Sequence, residues 1–231
     1  MKKHHQEVSM LYMFFSMTFT MCLVAANLFA TKQISWGIIN FTGAIFVFPV
    51  SYIINDVVAE VWGFRRMRSL IWTAFAINFA FVLIATLVDI VPGANWWQTT
   101  DAGKGFHAIF GLAPRIVAAS FLAFLVGSFV NAAVMSKMKV ASNGKRFSLR
   151  AIVSTILGES CDSIIFFPIA LAGIVPWSQM PYFVVCQVTL KTLYEIIILP
   201  LTTQIVKLVK KNEGVDVYDH DISYNIFIDK Q

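Results

Sequence analysis

Long apolar runs separated by short polar junctions set the pattern of this chain. Six runs approach or exceed the roughly 20 residues that an α-helix needs to cross a bilayer: residues 10–30, 36–54, 69–90, 112–134, 151–175 and 182–209. The pattern predicts an all-α fold, a polytopic membrane protein with six transmembrane helices in a domain covering residues 1–209. From residue 210 the character changes, and 210–231 reads as a polar cytoplasmic C-terminal tail, either solvated or docked on the basic junctions.

Six spans divide into two sets of three, and an odd number per set inverts the second set relative to the first. The second helix of each set carries a proline with acids beside it: Pro49 with Asp56 and Glu60, Pro168 with Glu159 and Asp162. A 3+3 inverted repeat is one reading of that symmetry, since interrupted helices in corresponding positions mark transporter sites. Proline at membrane depth also serves simple packing.

Composition agrees, with 58% hydrophobic residues, 13% charged residues and a mean hydropathy of +0.70. The net charge of +5 collects in the junctions. On one side stand Lys2 and Lys3, the run Arg65, Arg66 and Arg68, then Lys137 to Arg150, then Lys207, Lys210 and Lys211; the other side holds Lys32 and Lys104. That asymmetry predicts a multi-pass protein of the inner, cytoplasmic membrane with both termini in the cytoplasm. It also makes the basic groups partners for membrane lipids and argues against nucleic acid. Trp96 and Trp97 suit the opposite interface.

Two acids sit where hydrocarbon should be. Glu159 and Asp162 lie roughly 13 to 18 Å along the fifth predicted helix, and a central carboxylate costs about 2.5 to 3.5 kcal/mol on insertion scales. Three positions apart, they share a face and require a polar cavity or cationic partners. The sixth helix offers Gln187, Lys191 and Glu195 at successive steps of four. Lys191 and Glu195 can pair with each other, or Lys191 can serve the acids of the fifth helix.

A second polar group is "NDVVAEVWGFRRMR", in which Asn55, Asp56, Glu60 and Arg65 read as a gate or coupling element. Two carboxylates without further ligands are too few for a metal site, so no metal and no cofactor are expected. The sequence has no phosphate loop, no HExxH and no GxSxG, and no nucleophile and base pair stands out, which argues against an enzyme.

The runs "FPVSYIINDVVAEVWGFRRMR", "GESCDSIIFFPIA", "LKTLYEIIILPLT" and "EGVDVYDHDISYNIF" together resemble the queuosine precursor transporter family, also called the vitamin uptake transporter family. The resemblance implies a six-helix inner-membrane importer of 7-deazaguanine bases, namely the cyano or aminomethyl compound or queuine, for tRNA modification. A deazaguanine presents adjacent ring N–H and exocyclic NH₂ donors beside a carbonyl. Glu159, Asp162 or Glu195 would accept from the donors, Lys191 or Gln187 would reach the carbonyl, and Phe48, Tyr52 or Phe166 would stack on the ring.

The leading expectation is a secondary carrier with a central acidic site, coupled to protons through one acid. The alternative is a substrate-binding subunit that depends on separate energy-coupling ATPase partners, docked through the small face of Ala26 and Ala30. A homodimer is one arrangement open to so small a bundle.

Overall fold

The computed structural model describes residues 9–29, 32–36, 39–110, 114–173, 176–220 and 222–227. Ser9 opens the first helix, α1 (Met10–Phe29), by accepting the Tyr12 N–H on its hydroxyl at 3.0 Å, a side-chain cap for an otherwise orphaned donor. A short antiparallel hairpin follows, β1 (Gln33–Trp36) against β2 (Ile39–Thr42), and a 3-10 turn, Gly43–Phe46, leads into α2 (Phe48–Ile90).

This corrects the second predicted span. Residues 36–42 are apolar enough for a membrane helix but rich in β-branched and aromatic types, and apolarity alone does not separate strand from helix in so short a run. The helix starts only at Phe48, with Pro49 in its first turn, where the missing N–H costs nothing. Pro49 therefore opens a helix rather than interrupting one, whereas Pro168 does lie inside its helix.

At 43 residues α2 would extend about 65 Å, twice the thickness of a hydrocarbon core of about 30 Å. It is broken at Gly63, whose φ of 81° and ψ of 173° fall in a region essentially reserved for glycine. We call the arms α2a (48–62) and α2b (64–90). Two short helices, α3 (Asn95–Gln98) and α4 (Asp101–Phe110), cap the far end of α2b. Three long helices complete the chain: α5 (Pro114–Ala141), α6 (Phe147–Leu171) and α7 (Met180–Glu213). Counting α2 once, five helices among the described residues are long and apolar enough to cross a membrane, giving an all-α polytopic membrane protein.

Contacts fix the directions. Tyr12 donates to the Arg66 carbonyl and Asn27 to Asn78, so α1 and α2b run parallel. Phe129 meets Phe64 and Trp72 while Phe121 meets Phe79, so α5 runs against α2b. Asn131 meets Thr155 and Met135 meets Arg150, so α6 runs against α5. Glu60 meets Arg150 while Tyr52 meets Glu159, so α2a runs against α6 and hence against α2b. The break at Gly63 thus reverses the chain.

The reversal strips Val61 and Phe64 of helical partners, and the C-terminal segment supplies them. The Val217 N–H donates to the Val61 carbonyl at 3.1 Å, and the Phe64 N–H donates to Asp219 Oδ2 at 2.8 Å. Ser136 donates to the same Asp219 oxygen. Farther along, Arg68 donates to the Asn225 carbonyl and the Trp72 indole to that of Ile226, both at 2.8 Å. Residues 214–220 and 222–227 are therefore docked as a strap across the basic end of the bundle rather than solvated.

Candidate functional site: a buried polar column

Tyr52, Asp56 and Glu60 occur at steps of four on α2a, which places them on one helix face about 6 Å apart. That face looks into the bundle, and each residue meets a different set of groups from α5, α6 and α7. The column has three tiers.

Glu60, 1% exposed, anchors the tier nearest the basic end. Arg150 grips both its carboxylate oxygens, one of them at 3.0 Å, and Lys210 reaches Oε1 at 2.7 Å. Lys139 donates to the Glu60 carbonyl and to Asp216 of the strap, which Lys210 also meets at 2.9 Å. Bidentate Arg geometry and several donors per carboxylate are what a buried ion network requires. The expected gate at Glu60 thus has Arg150, Lys139 and Lys210 as partners. These are residues that the sequence ranked only as topology signals. Arg65, expected in the same element, is exposed.

One turn inward, Asp56 faces Glu195, and both are almost fully buried, at 1% and 6% exposure. Asn131 of α5 and Thr155 of α6 stand against the pair and are joined to each other at 3.4 Å. Asn55 is also buried, its Oδ1 without a hydrogen-bond partner among the described residues.

The innermost tier holds Glu159, fully buried, with Asp162 and Lys191. The Lys191 ammonium is 2.5 Å from Glu159 Oε2 and 3.7 Å from Asp162 Oδ2. It also lies 5.6 Å from the centroid of the Tyr52 ring, whose hydroxyl is in hydrogen-bonding reach of Glu159. A close crossing of α5 and α6 makes this possible. A Cβ on Gly158 would stand 2.9 Å from the Gly127 carbonyl oxygen, and one on Gly127 would stand 3.0 Å from the Asp162 Cβ. Backbones approach this closely only at glycine, and the approach turns both acids inward.

Lys191 therefore serves the acids of α6, and Glu195 is separated from it and paired with Asp56. Of the expected aromatic contacts, Tyr52 joins the innermost tier, while Phe166 lies one turn beyond Asp162, half-buried and edge-on to Phe167. The side chains of Phe48 and Gln187 lie outside the described residues. Ala26 is buried within the bundle, so it does not offer a docking face; Ala30 is outside the described residues.

Two cavities lie away from the column. A cleft of about 1000 Å³ is lined by Asp89, Trp96, Trp97 and His107 at the end remote from the strap, and a groove of about 620 Å³ runs between α1 and α2b. In the innermost tier the Lys191 ammonium stands between Glu159 and Asp162.

Comparison with known proteins places the column in a family. No solved structure matches the chain. It is similar to the "Probable queuosine precursor transporter" of Bacillus subtilis (strain 168), 24% identical over 193 residues that cover 82% of each chain. Residues 42–205, which run from the end of the hairpin through most of α7 and include the middle and innermost tiers, match the family described as "Putative vitamin uptake transporter". With so much of its length matched, the chain belongs to this vitamin uptake transporter family.

Proposed function

We propose that this chain is a secondary carrier importing a 7-deazaguanine precursor of queuosine, with the tier of Tyr52, Glu159, Asp162 and Lys191 as its substrate site. The observation that carries the reading is the Lys191 ammonium lodged between the fully buried Glu159 carboxylate and the half-buried Asp162 carboxylate. A cationic donor occupies the space that a donor-rich ligand edge would take. The ring N–H and exocyclic NH₂ of a deazaguanine would replace it on Glu159 and Asp162, and the displaced ammonium would donate to the neighbouring carbonyl. Tyr52 would meet the flat ring, with Phe166 and, one turn before Lys191, Gln187 as further candidates.

In this reading the protein sits in the inner membrane with its basic end and both termini in the cytoplasm. The set of α1, α2a and α2b and the set of α5, α6 and α7 run in opposite senses, which supports alternating exposure by rocking one set against the other. The Glu60 network then closes the cytoplasmic end, and chemical conversion of the substrate has no part in the cycle.

The test is uptake by this chain alone, reconstituted in proteoliposomes and offered guanine, the cyano and aminomethyl deazaguanines, and queuine. Saturable uptake of at least one deazaguanine in preference to guanine supports the proposal. Uptake that requires added ATPase and coupling subunits would replace it with the binding-subunit alternative.

A further inference from the structure

The middle tier has no task in substrate binding as described. Asp56 on α2a and Glu195 on α7 meet carboxyl to carboxyl inside the bundle. Asp56 Oδ1, both Glu195 oxygens and the Oδ1 of the fully buried Asn131 receive no hydrogen bond among the described residues. The Asn131 amide stands beside Asp56 and the Thr155 hydroxyl beside Glu195, but among the described residues no donor lies between the two carboxyl groups themselves, although buried acceptors are nearly always paired. The charged groups around them are already engaged. Toward the strap, Glu60 of α2a is bound by Arg150 and Lys210, with Lys139 of α5 close by. Toward the innermost tier, Lys191 of α7 is held by Glu159 and Asp162 of α6, with Tyr52 of α2a alongside.

Two carboxylates in contact cannot both be ionised in a low-dielectric interior without a large repulsive cost, and one proton between them removes it. The same proton supplies the missing donor, turning an acceptor–acceptor contact into an O–H···O hydrogen bond. Asp56 lies one turn from Tyr52, and Glu195 one turn from Lys191. Loss of the proton would therefore push apart the two helix segments that carry half of the proposed substrate tier.

From this arrangement we infer that Asp56 and Glu195 form a proton-binding site whose loading and unloading couple substrate movement to a proton gradient. The inference rests on the transport reading above. Proteoliposomes containing the full chain separate the two. With 7-cyano-7-deazaguanine as probe, the wild type shows counterflow, accumulates probe against its gradient when the outside is acidified, and acidifies the lumen as read by an encapsulated pH dye. Asp56→Asn keeps counterflow but loses at least tenfold of the gradient-driven accumulation and all probe-evoked acidification; Glu195→Gln loses the same accumulation and acidification. Gradient-driven accumulation retained in both variants overturns the inference, as does wild-type accumulation that survives collapse of the pH gradient and potential. Loss of counterflow in Asp56→Asn overturns it too, by making the residue part of substrate binding or structure. Absence of counterflow in the wild type would remove the transport reading itself, and the proton site with it.

Discussion

Lys191 is held 2.5 Å from Glu159 on a neighbouring helix, while Glu195, one turn along its own helix, faces Asp56 instead. One ammonium therefore serves the fully buried Glu159 and the half-buried Asp162, and its removal leaves the Glu159 carboxylate buried without its cation. Breaking a buried ion pair by deleting one partner costs about 3 to 5 kcal/mol. Lys191→Met is expected to lower the thermal unfolding temperature in detergent markedly, and Lys191→Met combined with Glu159→Gln to recover part of the loss. A double variant no more stable than the single would show that the pair is not coupled.

Gly158 sets the spacing of α5 and α6. Its alanine variant brings a Cβ to within 2.9 Å of the Gly127 carbonyl oxygen, an overpacking that typically costs about 1 to 3 kcal/mol. Because Glu159 is the next residue, substrate affinity should fall in Gly158→Ala while membrane insertion is kept, as read by uptake kinetics beside a protein-level blot.

Gly63 carries the chain reversal, and its φ of 81° disfavours any side chain. Alanine there adds strain of about 1 to 3 kcal/mol and a Cβ 2.8 Å from Asp219 Oδ1. The strap should be dislodged in Gly63→Ala, so that limited proteolysis cuts within 214–227 sooner than in the wild type. Equal protection of the two proteins would contradict the strap's role at the break.

Asp216 gives the strap a pH dependence. Partial burial works against its charge, but hydrogen bonds from Lys139 and Lys210 outweigh this and hold its carboxyl below the ordinary carboxylate range. A depressed folded-state pKa contributes stability above the unfolded value of about 3.9 and loses it as the pH falls through the folded one. Protease protection of the strap should stay level from pH 7 to about 4 and decline only below. Asp216→Asn should weaken protection at neutral pH, by a modest amount because the side chain is 41% exposed.

Much of this was legible in the residues. Apolar run length gives the long helices, and the cost of Glu159 and Asp162 at membrane depth marks the innermost tier. The hairpin at Gln33–Thr42 was not legible, because a short run of apolar residues carries no period that distinguishes strand from helix. Nor was the choice of partners. The steps of four on α7 made Lys191 and Glu195 natural mates, and only the approach of α6 at Gly158 and of α2a at Asp56 divides them. Arg150, Lys139 and Lys210 were hidden for a different reason: cations at a helix end report topology whether or not they turn inward. The tail's acids read as solvation until Gly63 shows which backbone groups Asp219 must satisfy.

The most direct test of the account is titration of the purified protein with 7-cyano-7-deazaguanine in detergent, read by calorimetry. Saturable binding by the wild type, weakened about tenfold or more in Glu159→Gln and in Asp162→Asn through loss of a hydrogen bond to a charged group, with unchanged helical circular dichroism, is the predicted result. Wild-type affinity in both variants would contradict the assignment of the substrate to these acids.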